Sequence, residues 1–184
     1  ADAVFGLMYA QCEDDFKRVE MNYIEKLGRM AEVKGRSEIY NDLLIRMIID
    51  SADALRDYKN SPTWVKKLMN AVADGINYYI SQHPEKPVLL TRFQPWYPLL
   101  WTDGSIGAIN TADLSANDLK NIYGNPNDVS AVRVKEEDEL TGSNGFAFAP
   151  SITESGNAIL YINPHVTFYF RPEVHMVSNE GLNV

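Results

Sequence analysis

Apolar residues recur at three- and four-residue steps through the first part of the chain. This spacing places them on one face of a helix and predicts three amphipathic helices in succession. Gly35, Asn60 and His83 mark the predicted ends of the three helices. Ser61 followed by Pro62 predicts the start of the third, as an N-cap hydroxyl before a proline in the first turn. The apolar stripes are Phe16, Val19, Tyr23, Leu27 and Met30, then Leu44, Met47, Ile48 and Leu55, then Val65, Leu68, Met69, Val72, Ile76 and Tyr79.

The pattern changes twice in the remainder of the chain. Prolines and aromatic residues over 86–105 predict packed irregular chain, and 106–123 can hold one short helix. The composition of 125–142 is that of a solvated loop. From 143 to 184 apolar residues alternate with a period of two, which predicts strands joined by a hairpin turn at Gly156. Helices followed by strands make the predicted fold class α+β.

Composition narrows the functional classes. The chain has 184 residues, enough for one core, and its 17 basic and 25 acidic residues give a net charge of −8. That surplus disfavours nucleic acid and anionic membrane surfaces as partners. The single cysteine, Cys12, excludes an intramolecular disulfide and a cysteine zinc site. The sequence lacks an initiating methionine and a signal peptide, so we expect it to begin inside a domain.

Residue spacings alone do not identify a reaction. No phosphate-binding glycine loop, zinc-binding histidine pair or Gly-x-Ser-x-Gly elbow is present in the sequence. His83 is expected to be a solvated cation at a helix end. Ser143 lies where the acidic loop gives way to the first strand, and composition alone favours an ordinary turn there.

Three short segments are distinctive: Ser143-Asn144, Asn163-Pro164-His165 and, in the helical part, Gly28-Arg29-Met30-Ala31-Glu32. Together with further segments they resemble the penicillin acylase family of N-terminal-nucleophile hydrolases. In that family Ser-Asn opens the mature β-subunit and an Asn-Pro-His segment follows at the distance found here, with His165 as the twenty-third residue when Ser143 is the first. The matching segments are Ser143-Asn144-Gly145-Phe146-Ala147, Thr153, Ser155-Gly156-Asn157, Leu160 and Asn163-Pro164-His165, with Asp2-Ala3-Val4-Phe5-Gly6, Tyr9-Ala10, Glu13-Asp14, Glu20, Gly28-Arg29-Met30-Ala31-Glu32 and Pro95-Trp96 in the helical part.

The resemblance implies a serine amidohydrolase that is made as a precursor and cut between Gly142 and Ser143. Ser143 would be the nucleophile, and its α-amino group, freed by the cut, would be the base. It implies a supporting role for His165. The implied divisions are a helical α-subunit region (1–124), a spacer peptide (125–142) and the first strands of an αββα sheet (143–184).

Other expectations follow from the resemblance alone. The substrate would be a linear acyl amide, such as a penicillin or cephalosporin side chain or an N-acyl-homoserine lactone, with some preference for lactone and lipopeptide acylases. The parent would be an α/β heterodimer, periplasmic or secreted, needing no cofactor for catalysis, with room for a structural calcium. We expect the uncut chain to be an inactive fragment of that parent, because its Ser143 nitrogen is an amide.

A non-catalytic interpretation also fits the pattern. A helical interaction domain could end in a hairpin that adds to a partner's sheet edge. The sequence beyond Val184 distinguishes the two, since an acylase needs several hundred further residues of strands and a binding module does not.

Overall fold

The computed structural model describes residues 1–48, 50–100, 115–124, 142–165 and 174–184. The chain divides into two compact units, one containing the helices and the other a β-hairpin. The α+β prediction is confirmed. The predicted strand over 166–170 and nearly all of the predicted spacer lie outside the described residues. The helices are α1 (Asp2–Lys26), α2 (Ala31–Lys34), α3 (Ile39–Ile48), α4 (Ser51–Asn60), α5 (Thr63–Gln82) and α6 (Ala116–Tyr123).

The two long helices, α1 and α5, pack along each other and form the centre of the helical unit. Gly75 of α5 allows close approach, because a Cβ there would lie 2.5 Å from the Phe5 carbonyl oxygen of α1. Further along, Phe16 stacks on Tyr79 with ring centroids 5.3 Å apart. The buried apolar cluster comprises Cys12, Phe16, Tyr23, Ile24, Leu27, Met30, Ala54, Ile76, Tyr79, Ile80, Leu90, Phe93, Tyr97 and Leu100.

A buried carboxylate connects α1 to the irregular segment that follows α5. Glu20 is completely buried on the apolar face of α1. Its Oε1 accepts hydrogen bonds from the backbone N–H groups of Val88, Leu89 and Leu90 at 2.9, 2.8 and 2.8 Å. Three consecutive backbone donors, otherwise unpaired in an irregular segment, are thereby satisfied inside the core.

Asn77 fixes the same irregular segment to α5. Its amide nitrogen donates to the Phe93 carbonyl oxygen at 2.9 Å, and its Oδ1 accepts from the Phe93 N–H at 2.7 Å. The Asn side chain thus pairs with the backbone as a second peptide group would. The expectation of packed irregular chain is confirmed for the described residues 86–100, which end in a 3₁₀ turn at Tyr97–Leu100.

The first predicted helix ends earlier than expected. α1 stops at Lys26, and Gly28 adopts φ +61°, a left-handed conformation that favours glycine. The buried Asp42 carboxylate then accepts from the Met30 and Ala31 N–H groups, each at 2.8 Å, at the start of α2. Burial raises the pKa of Asp42, while these two hydrogen bonds lower it. Gly35, the predicted stop, ends only this short second helix.

The second predicted helix is two helices, α3 and α4. Asp50 separates them, because its side chain accepts from the Asp53 N–H at 2.9 Å and caps the start of α4. The predicted start of the third helix is also displaced. Ser61, the predicted N-cap, instead ends α4, where its hydroxyl donates to the Asp57 carbonyl oxygen, and α5 begins after Pro62. The third stripe is buried only in part, since Ile76 and Tyr79 lie in the core and Leu68 is exposed.

The hairpin consists of β1 (Gly142–Phe148) and β2 (Ile159–His165), paired antiparallel. Its connection contains a 3₁₀ turn at Pro150–Ile152 and the predicted tight turn, where Gly156 has φ +67°. The apolar side chains of both strands remain open to solvent. Leu160 is 70% exposed on one face and Phe146 is 55% exposed on the other.

Replacing Glu20 should destabilise the helical unit strongly. Glu20→Leu fills the same space in the core with an apolar side chain but leaves three buried N–H groups without an acceptor. We therefore expect the free energy of unfolding to fall by about 3 kcal/mol or more. Asp14→Leu, at an exposed position of the same helix, should change it by about 0.5 kcal/mol at most. Urea denaturation measures both, and equal effects would contradict the role assigned to Glu20.

Two helical glycines should respond oppositely to alanine. Gly6→Ala meets no atom within 4 Å, so the higher helix propensity of alanine should stabilise the chain by about 0.5–1 kcal/mol. Gly75→Ala pushes its methyl against the Phe5 carbonyl and should cost about 1–3 kcal/mol. Thermal unfolding of the two variants tests the α1–α5 contact, and a stabilised Gly75→Ala would disprove it.

Candidate functional site

The two residues of the predicted processing site lie at the start of β1. Gly142 is the first residue of the strand and pairs with His165, and Ser143 pairs with Pro164. Ser143 is exposed. Pro164 has no N–H, so it cannot donate a backbone hydrogen bond.

Side chains of neighbouring strand residues point to opposite faces of the hairpin. Ser143 shares one face with Gly145 and, across the ladder, with Ile162 and Pro164. His165 lies on the other face. The structure therefore brings the backbones of Ser143 and His165 to the same end of the hairpin but does not bring their side chains together.

The imidazole of His165 contacts two amide side chains on its own face. The Asn144 amide nitrogen lies 3.1 Å from His165 Nε2. The Asn163 amide nitrogen lies 3.0 Å from the same atom. Asn144 and Asn163 face each other directly in the ladder. Three polar side chains thus form a compact cluster, the amide–histidine cluster, at the end of the hairpin where Ser143 lies.

The rest of that face is aromatic and aliphatic. Phe146 and Phe148 stack along β1 with centroids 6.3 Å apart, and Phe146 contacts Tyr161 across the ladder at 6.1 Å. Such cross-strand contacts stabilise the register of a two-stranded ribbon. The register in turn places the amide–histidine cluster.

Ser143 has no activating side chain within the described parts of the chain. None of their titratable groups forms a hydrogen bond with its hydroxyl, and in the continuous chain its nitrogen is a peptide amide. A serine hydroxyl without a base is a weak nucleophile. Any base must therefore come from a change in the chain itself or from residues outside the described ranges.

The described residues offer no metal centre. Within those ranges no group of three or more histidine, cysteine or acidic side chains is arranged to hold an ion. The thiol of Cys12 is buried in the helical core, which raises its pKa to about 12. A calcium site is therefore not assigned to these residues, and no chemical step is derived through one.

None of the described helices is long and apolar enough to cross a bilayer.

The fold thus defines an α+β protein in which a serine-bearing strand follows a helical region. The chain belongs to the penicillin amidase family, whose sequence profile matches residues 1–180. It is also similar to the acyl-homoserine lactone acylase QuiP of Pseudomonas fluorescens, with 28% identity over 100 residues, which are 54% of this chain. The matched part covers 12% of that relative's length.

Two residues of the cluster, Asn144 and Asn163, carry no role in the sequence analysis beyond their place in the family resemblance. Their position relative to His165 follows from the pairing of the strands, which residue spacing alone does not fix. The period-two alternation does place Asn163 and His165 on one face of β2. That signal could have identified the Asn163–His165 contact, whereas the Asn144 contact needs the register.

Proposed function

We propose that the full-length protein carrying this sequence is a self-processing acylase in which Ser143 is the nucleophile. The observation that carries the proposal is the exposed position of Ser143 next to Gly142 at the start of β1, in a chain of the penicillin amidase family. The roles of Ser143, Gly142 and His165 rest on the family resemblance and on this placement.

Processing would supply the base that the continuous chain lacks. Hydrolysis of the Gly142–Ser143 peptide bond consumes one water and converts the amide nitrogen of Ser143 into an α-amine. An α-amine has an ordinary pKa of about 7.7–8.0, so a large fraction is neutral near physiological pH and can accept the hydroxyl proton. Ser143 Oγ would then attack an amide carbonyl, release the amine as leaving group and form an ester, which water hydrolyses.

The proposed substrate class is a linear acyl amide. The relative named as an acyl-homoserine lactone acylase supports an N-acyl-homoserine lactone as one member of that class. The family description supports the side chain of a penicillin or cephalosporin as another. On this proposal the mature enzyme is an exported α/β heterodimer, the spacer over 125–142 is removed, and any structural calcium is held by residues outside those described.

The exposure of the hairpin supports an incomplete sheet. Side chains on both of its faces are apolar and between 42 and 70% exposed, including Phe148 and Leu160. An isolated two-stranded ribbon is only marginally stable. Further strands and covering layers, as in an αββα sheet, would bury these faces. The same exposure would suit the alternative of a non-catalytic module that adds to a partner's sheet edge.

Changing Ser143 should abolish both processing and acylase activity. In the full-length protein, Ser143→Ala should leave the precursor intact, because alanine has no hydroxyl, whereas the unaltered protein should yield a chain whose first residue is Ser143. Ser151→Ala is the matched control, since it removes another exposed hydroxyl in the same hairpin, and it should process normally. Intact mass and N-terminal sequencing measure the outcome.

A second measurement separates the two proposed functions. The processed protein should release amine from N-acyl-homoserine lactones or from a penicillin side chain, and Ser143→Ala should not. If the folded full-length protein remains intact at Gly142–Ser143 and releases no amine, the acylase proposal fails. The interaction module then becomes the better explanation.

A further inference from the structure

The amide–histidine cluster constrains the protonation of His165. Amide nitrogens only donate hydrogen bonds, and two of them point at Nε2, at 3.1 Å from Asn144 and 3.0 Å from Asn163. A ring nitrogen can accept only when it carries no proton. An Nε2 that accepts from both amides corresponds to the tautomer with its proton on Nδ1.

His165 and the Asn144–Asn163 pair are neighbours on one face of the hairpin, because Asn163 lies two residues before His165 on β2. Asn163 is half-buried, while His165 is exposed. Because water can compete for a hydrogen bond to the exposed ring, two amide donors hold the ring better than one.

We propose that Asn144 and Asn163 are positioning residues that select the Nδ1–H tautomer of His165 beside the processing site. The inference rests on the proposed function of Ser143 and deepens it. Both amide nitrogens contact Nε2, so Nδ1 is the ring nitrogen left to donate. An Nδ1–H ring could donate a hydrogen bond to the reacting backbone, and the base role stays with the α-amine.

The protonation pattern can be read directly in the 184-residue chain. With histidine nitrogens labelled with ¹⁵N, long-range ¹H–¹⁵N correlation spectra at about pH 8, where an ordinary imidazole is neutral, distinguish the two tautomers. His165→Gln assigns the signal among the three histidines. We expect the Nδ1–H form. Asn163→Asp and Asn144→Asp each replace a donor by an acceptor, so either should move the proton to Nε2.

Asn157→Asp is the matched control. It makes the same chemical change at an exposed residue of the same hairpin, away from His165, and should leave the tautomer unaltered. Cross-strand contacts between Phe146 and Tyr161 in the same samples report whether the hairpin keeps its register. If an Asn→Asp variant loses these ring contacts, Asn163→Gln is measured as well. Glutamine keeps an amide donor at this position, so this variant should give the Nδ1–H signal.

The functional consequence is measured in the full-length protein. Misplacing a positioned group can reduce a rate by about tenfold to a hundredfold, so Asn163→Asp should slow the appearance of the chain starting at Ser143 by about that factor. Asn157→Asp should process at the unaltered rate. The cut must remain at Gly142–Ser143 in both.

The outcomes separate this inference from the proposed function. An Nε2–H ring in the unaltered chain, or a tautomer that ignores both Asn→Asp changes, overturns the inference while Ser143-dependent processing still stands. A shifted tautomer with unchanged processing overturns the positioning role. If the unaltered full-length protein is not cut before Ser143, the proposed function fails, and the positioning role fails with it. A shifted tautomer together with slowed processing supports the inference.

Discussion

A single buried carboxylate determines how the helical unit can fold. Glu20 lies on the apolar face of α1, where an unpaired acidic group would be costly. Its three backbone donors come from residues about 70 positions later in the chain. The irregular segment that follows α5 must therefore return to the middle of α1. Because Asn77 of α5 holds Phe93 of the same segment, the long helices and the irregular chain are fixed together around one aromatic core.

The hairpin depends on a different kind of constraint. Its side chains are largely exposed, so its geometry rests on the pairing of the strands and on cross-strand aromatic contacts. The pairing places Gly142 opposite His165 and Ser143 opposite Pro164. The candidate site is thus a consequence of register, because a slip of one residue would move Asn163 and His165 to the face of Ser143 and separate them from Asn144.

The sequence predicts the existence of the elements better than their ends. The three-to-four periodicity identifies the helical region, but Gly28 ends α1 before the apolar stripe does, and the Asp50 cap divides the second helix. Glu20 shows what pattern alone misses. It occupies the same stripe as Phe16 and Tyr23, which places it on the buried face, but its partners come from a distant segment without periodicity.

The candidate site was accessible from the sequence only in part. Composition favours an ordinary turn at Ser143, and the nucleophile role comes from the family resemblance. The turn at Gly156 is readable from its residues, whereas the register across the connection at 149–158 is not. Since the contact between Asn144 and His165 depends on that register, only the folded hairpin shows it.

We propose that Ser143 becomes a reactive nucleophile once the chain is cut before it. The most direct test treats the full-length protein with a serine-directed sulfonyl fluoride and locates the adduct by peptide mass spectrometry. We expect one adduct on Ser143, present only on chains that begin with this residue. An adduct on another serine that abolishes activity, or equal labelling of Ser143 in the uncut precursor, would contradict it.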